Sequence, residues 1–189
     1  MIKQLTKGIV TASIAAFSLL SMSFAVHTIT FTPVSDSSTV AFKIKNLGTK
    51  VDGTLGNLKG TIVFDPANMA KAKIEATVDV STINTGIGAR NKHLQAEEYF
   101  NAEKYPQIKI SSTSITIIDE ATKKAHMDGT LTIKGKEKPC SLDFIYSKSE
   151  KGYNLKSDFT VNRKDFGVGS KKTRIMKDKV EVSLDINVE

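Results

Sequence analysis

The sequence predicts an all-β fold, a closed antiparallel barrel of roughly eight strands with one short helix as a flap. Three observations predict it. The last segment sets Val180, Val182, Leu184, Ile186 and Val188 against Glu181, Ser183, Asp185, Asn187 and Glu189, the period of a strand with one dry face and one wet face. The same alternation recurs along most of the chain, with a single helical stretch. Gly53, Gly56 and Gly60 punctuate one long strand, and glycines inside strands mark the bulges and bends with which a sheet curls closed. A sheet of this size must hide its two edges, and closure removes them. A β-sandwich is the competing arrangement; short turns joining consecutive strands favour the barrel.

The elements are expected in the following order. Strands His27–Phe31 and Thr39–Lys45 come first, the latter with Val40, Phe42 and Ile44 on one face. Val51–Phe64 follows, then the turn Asp65-Pro66-Ala67-Asn68 and strand Ala72–Val80, with Ile74, Ala76, Val78 and Val80 inward. A helix is expected over Lys92–Phe100, capped by Asn91, with apolar Leu94, Tyr99 and Phe100. At about three turns it is marginal alone in water, so it must lean on the sheet as a flap over one end. Gln107–Ile118, Lys124–Ile133, Pro139–Ser147, Gly152–Asn162 and Lys179–Val188 complete an antiparallel meander joined by short polar turns.

The first residues read as a leader rather than as part of the fold. Lys3 and Lys7 give a positive start, Ile9 to Leu20 an apolar core, and Ser23-Phe24-Ala25 the small residues of a cleavage site. Residues 1–25 are thus expected to be a cleaved secretory signal, and residues 26–189 one domain exported to the periplasm. Losing 25 of 189 residues leaves 164, enough for one core. Removing the two lysines lowers the net charge from +7 to +5. That charge suits an anionic lipid surface or an acidic partner and falls short of a nucleic-acid binder, with no aromatics interleaved among the cations. The basic run Lys171, Lys172, Arg174, Lys177 and Lys179 reads as a solvated loop or a contact with anionic headgroups.

No catalytic constellation is visible. His27, His93 and His126 lie far apart without partners at ligand spacing, so no metal and no cofactor are expected. There is no phosphate loop and no nucleophile elbow. The lone Cys140 shares the parity of Leu142, Phe144 and Tyr146, and reads as a small buried hydrophobe rather than a redox or dimerising thiol. Arg90 and His93, beside the turn Asn84-Thr85-Gly86, either meet a polar head group at the barrel rim or anchor the loop. Asn162–Gly169 reads as a bulge that redirects the chain.

Several segments carry a resemblance. Val34–Phe42, Val51-Asp52-Gly53 through Leu58-Lys59-Gly60, Ile83-Asn84-Thr85-Gly86, Arg90-Asn91-Lys92-His93-Leu94, Tyr99-Phe100-Asn101, Lys104-Tyr105-Pro106, Leu131–Gly135 and Arg163–Gly167 resemble the motifs of the YceI-like family. Where that family often carries an aspartate after the signature arginine, this chain has Asn91. The resemblance covers essentially the whole chain after the leader. It implies a lipocalin-like barrel in the bacterial periplasm that binds a polyisoprenoid or another long amphipathic lipid, with proposed roles in isoprenoid-quinone handling or stress.

The expectation is therefore a non-enzymatic barrel, monomeric or dimeric, that binds, transports or stores one long lipid. The lining is assigned to Phe42, Ile44, Phe64, Val78, Ile110, Leu131, Phe144, Phe159 and Val161, with Arg90 and His93 at the head group. Two other classes remain. An enzyme acting on a bound amphiphile requires a titratable group with a shifted pKa inside the barrel. A stress-response interaction module requires a filled core.

Overall fold

The computed structural model describes residues 29–169 and 176–189. The expected leader, residues 1–25, together with His27, Lys171, Lys172 and Arg174, lies outside the described residues. The strands are β1 (Thr30–Phe31), β2 (Thr39–Asn46), β3 (Thr49–Val63), β4 (Lys73–Asn84), β5 (Gln107–Asp119), β6 (Lys124–Ile133), β7 (Lys136–Lys148), β8 (Tyr153–Asn162) and β9 (Lys179–Val188), with one α-helix, α1 (Gly88–Gln95).

From β2 to β9 every strand pairs antiparallel with the next, and β2 pairs with β9 from Thr39↔Asp185 to Lys43↔Glu181. That last ladder turns the meander into an eight-stranded barrel. The ninth strand is no extra stave. β1 pairs with β3 through Phe31↔Ile62. Residues 32–34 bond to the end of β9 through Thr32 N–H to Glu189 O and Val34 N–H to Asn187 O, both 2.8 Å. β1, a 3-10 turn at Ser35–Ser37 and β2 together form one interrupted stave between β3 and β9.

Alternation explains why the closed form is stable. Ile44 faces Val51 across β2 and β3, and Phe42 faces Val182 across β2 and β9, on the inner side; Lys43 faces Asp52 and Glu181 on the outer side. The outer wall carries cross-strand ion pairs such as Lys156–Asp185 at 2.9 Å. This apolar-in, charged-out arrangement is the reverse of a membrane-spanning barrel.

The chain departs from the expected boundaries most clearly at the helix, at β7 and at β4, which runs to Asn84 rather than ending at Val80. The helix spans Gly88–Gln95 rather than Lys92–Phe100, and Asn91 lies inside it rather than capping it. Gly86, with φ of 77°, turns the chain into the helix early, and residues 96–105 form tight turns, for example Tyr99 N–H to Ala96 O at 3.0 Å. β7 begins three residues before the expected Pro139. β7 pairs with β8 only from Ile145 to Lys148, so Pro139 sits on a stretch that has parted from its neighbour, where a missing N–H breaks no rung with β8.

Of the three glycines in β3, Gly60 permits close backbone contact between strands, and Gly129 in β6 does the same. A Cβ on Gly60 would lie 2.1 Å from Glu75 O, and one on Gly129 would lie 2.2 Å from Ser111 O. The pairing of β5 with β6 shifts register just beyond Ser112↔Gly129. We expect Gly129→Ala to destabilise the barrel by about 2 kcal/mol and to lower Tm by about 4–8 °C. Thermal unfolding by circular dichroism checks this; an unchanged Tm would mean that the close approach of β5 and β6 is not needed.

Candidate functional site: an apolar cavity closed at one end

The inner face encloses a cavity of about 270 Å³, at the lower edge of the range of small-molecule pockets, about 300–1,000 Å³. It runs along the barrel: β9 contributes Val180, Val182, Leu184 and Ile186 in succession, a length of about 20 Å along the strand. The wall is almost wholly hydrocarbon. Of the residues assigned from sequence, Phe42, Ile44, Val78, Arg90, Ile110, Leu131, Phe144, Phe159 and Val161 line it. Phe64 and His93 do not. Phe64 follows the last rung of β3 and is wholly buried in the barrel's end. His93 is exposed on α1 and packs edge-on against Tyr99, with ring centroids 4.8 Å apart.

The two ends are built differently. At the end where β3 finishes, four aromatic residues form a plug. Phe64 lies 5.1 Å from Tyr146 and 5.2 Å from Tyr153, and Phe31 lies 5.6 Å from Tyr153. Burial pushes the Tyr146 and Tyr153 phenols up from their ordinary values, keeping them neutral. At the other end Leu94, Tyr99 and Phe100 of the flap, together with Phe166 and Val168, reach over the cavity. Lys134 bolts these pieces together. Its ammonium donates to Glu97 O at 2.8 Å, Glu98 O at 3.3 Å and Gly167 O at 3.1 Å.

The sequence motifs acquire physical meaning at this mouth. Asn91 Oδ1 accepts from the Thr85 backbone N–H at 2.8 Å and from Thr85 Oγ1 at 2.7 Å, an acceptor role that needs no charge. Arg90 donates to Thr85 Oγ1 at 2.8 Å and to Thr85 O at 2.6 Å, so it anchors the loop as well as lining the cavity. Its Nη1 has no hydrogen bond among the described residues. Gly135, at φ of 68°, lies against Tyr105, whose ring would be 2.4 Å from an added Cβ.

Arg163 reads from sequence as part of a redirecting bulge and of a family-like segment, a reading that misses its place in the cavity wall. Arg163 lines the cavity, but it is 4% exposed and its donors are committed. Nε donates to Lys177 O at 3.0 Å, Nη1 to Val168 O at 2.8 Å, and Nη2 to Met176 O at 3.2 Å and Asp178 Oδ1 at 3.3 Å. Phe166 and Val168 were likewise assigned to a turn, yet both are buried over the mouth. Their signal was the apolar pair framed by glycines in Phe166-Gly167-Val168-Gly169.

The shifted ionisable groups lie off the cavity wall. Cys140 is half-buried between the two apolar clusters, and burial pushes its thiol up, away from the reactive thiolate. The densest polar cluster sits on the outer wall of β5, β6 and β7. His126 Nδ1 lies 2.6 Å from Asp143 Oδ1, and its Nε2 lies 3.0 Å from Ser141 Oγ and 3.4 Å from Asp128 Oδ1. The order Ser–His–Asp resembles an activated nucleophile, but two carboxylates hold the proton on the imidazole. The hydrogen bond with Asp143 is the chief cause of a raised His126 pKa, and it lowers that of Asp143 in turn. Ser141 Oγ donates to Asp128 Oδ1 at 2.8 Å. This is an ion-pair network, and among the described residues no cluster of three His, Cys, Asp or Glu is arranged to hold a metal.

The network sets a pH dependence. A raised His126 pKa contributes stability that is complete below the unfolded value of about 6.5 and is lost as pH rises through the folded value. The lowered Asp128 and Asp143 contribute stability that is complete above about 3.9 and is lost as pH falls through their folded values. We expect His126→Asn to remove the decline in stability on the alkaline side of pH 6.5. Urea midpoints measured from pH 5 to 9 check this; a decline of equal size in the variant would assign the effect elsewhere.

Comparison with known proteins agrees with this architecture. Residues 31–188 match the family model described as YceI-like domain. The chain is 30% identical over 157 residues to Protein YceI of Escherichia coli O157:H7, covering 79% of each. A Photorhabdus laumondii protein of the UPF0312 group is 35% identical over 105 residues, where the match spans about half of either protein, 55% of this chain and 53% of that one. Among solved structures, BcnA of Burkholderia cenocepacia superposes with a TM-score of 0.75 at 25% identity, covering 82% of this chain and 97% of that one. A Saccharophagus degradans domain described as polyisoprenoid-binding and implicated in plant cell wall breakdown shares the fold, with a TM-score of 0.68 at 13% identity over 84% of this chain and 97% of that one. With nearly every described residue inside the family match, the chain belongs to the YceI-like family.

Proposed function

We propose that this protein is a non-enzymatic periplasmic carrier that holds one long-chain amphipathic lipid of the polyisoprenoid or isoprenoid-quinone class in its barrel. The observation that carries the reading is the cavity itself, elongated, apolar, plugged by aromatics at one end and reaching Arg90 at the other. A hydrocarbon tail entering it gains about 25 cal/mol for each Å² removed from water, so affinity needs few polar contacts. The tail points to the plug. The head group stays at the mouth, where the Arg90 guanidinium lines the cavity. The polyisoprenoid binding ascribed to the structurally similar domain supports the ligand class, and the leader sequence supports the compartment. Shifted carboxylates and imidazole on the outer wall, away from the cavity, favour carrying over catalysis.

The test is native mass spectrometry of protein purified from its own periplasm, followed by organic extraction and identification of the bound lipid. A stoichiometric isoprenoid or long-chain amphiphile is expected. A clean apo mass with no uptake of added isoprenoid quinone would overturn the carrier reading in favour of a filled-barrel interaction module. Ala76 lines the cavity, so Ala76→Phe is expected to weaken uptake by about tenfold or more, equivalent to about 1.4 kcal/mol, in a protein that still unfolds cooperatively.

A further inference from the structure

The turn joining β2 to β3 combines two features that folding alone disfavours. Leu47 is 74% exposed, the highest value among the exposed large hydrophobics of the described residues. It also adopts φ of 52°, followed by Gly48 at 79°. Positive φ at both central residues makes a type I′ turn, whose first central position favours Asn or Asp and strains a bulky L-residue. A leucine there gains nothing from burial and works against the backbone, and strain of this kind points to a role outside folding.

The surroundings say what the tip meets. Lys45 and Lys50 face each other directly across the two strands, a like-charge pair that destabilises an isolated ladder. Lys177 joins them, since its backbone N–H donates to Lys45 O at 2.9 Å. All three are exposed, and none forms an ion pair among the described residues. The last rung between β3 and β4 is Thr54↔Asn84, so the hairpin runs on past the β4 ladder, while on its other flank Asn46 bridges Met176 next to the tip. Ile87, 54% exposed, and exposed Lys92 follow the end of β4 on the same side. The acidic flap residues Glu97 and Glu98 are held by Lys134 at the turn from β6 to β7, across the barrel in strand order. Asn46, immediately before the tip, lines the cavity.

We propose that the β2–β3 tip, led by Leu47 and flanked by Lys45, Lys50 and Lys177, docks the barrel mouth onto an anionic lipid bilayer. Leu47 inserts among the acyl chains, and the lysines meet the anionic headgroups. Lipid then passes between bilayer and cavity without crossing water. The docking rests on the tip alone and stands whether or not the cavity holds an isoprenoid.

The chain has no tryptophan, so a single Leu47→Trp reports from the tip. A chain starting at Val26 contains every strand of the barrel and keeps the apolar leader away from the vesicles. With vesicles of equal parts phosphatidylglycerol and phosphatidylcholine, its emission is expected to shift to the blue, and with pure phosphatidylcholine or in high salt the shift is expected to shrink. Leu47→Asn, which suits the turn better, is expected to keep or raise Tm while weakening sedimentation with the anionic vesicles by about tenfold or more. No blue shift with anionic vesicles, or Leu47→Asn sedimenting like the parent, would overturn the proposal. A blue shift that grows with protein concentration in the absence of vesicles would overturn it too, by assigning the tip to a second copy. Uptake of an isoprenoid quinone from detergent, measured on the same variants, reads the cavity separately.

Discussion

Everything in this protein depends on the ladder between β2 and β9. These strands stand at opposite ends of the described chain, and bringing them together is among the costliest loop closures in the fold. Without the rungs from Thr39↔Asp185 to Lys43↔Glu181, the meander is an open sheet with two unpaired edges and an apolar face in water. With them, each inward residue gains a neighbour on both sides and the polar outer face is fixed. The interrupted first stave extends the seam. The reciprocal bonds of Thr32 and Glu189, at 2.8 and 3.0 Å, tie the remaining length of β9 to residues that β2 does not reach.

Closure fixes the wall, and the ends decide what the barrel can do. A barrel of eight strands is just wide enough inside to be filled by side chains. Here the filling is uneven. Phe64, Tyr146, Tyr153 and Phe31 concentrate their bulk at one end, while Val180, Val182, Ala76 and Val78 leave the middle wide. At the other end the closure is assembled from separate pieces, the flap after α1 and the turn at Arg163–Phe166, held by Lys134 and Arg163 through backbone carbonyls. Carbonyl bonds from two long cations tolerate small displacements better than interlocked rings do.

Alternation was strong enough to read the barrel from sequence, because each inward residue repeats every second position regardless of its partner. Val180 to Val188, Val40 to Ile44 and Ile74 to Val80 all face inward as their parity requires. Parity does not report depth along the axis. Phe64 and Phe144 both face inward, yet one plugs the end and the other lines the cavity. The helix was placed late because Asn91 reads locally as a cap, whereas its side chain serves Thr85, six residues back. The anchoring role of Arg163 was hard to read because three of its four partners are main-chain carbonyls, of Val168, Met176 and Lys177, which carry no side-chain signature. Leu47 was passed over because a lone apolar residue beside Gly48 reads as an ordinary turn until its φ is known.

The cavity also bears on stability. At about 24 cal/mol per Å³, an empty apolar space of this size forgoes about 6 kcal/mol of packing, comparable with the whole net stability of many domains, about 5–15 kcal/mol. Ala76 and Val182 stand on the lining where larger side chains would narrow the cavity. The wall can bear the hollow because long antiparallel ladders join most of its staves. The plug and the mouth cluster supply dense contacts at the two ends, away from the hollow. An apolar guest that fills the hollow restores the missing contacts and stabilises the barrel by mass action. Under the proposed carrier reading, shape and tail length govern selection, since the lining is almost wholly hydrocarbon and Arg90 lines it at the mouth.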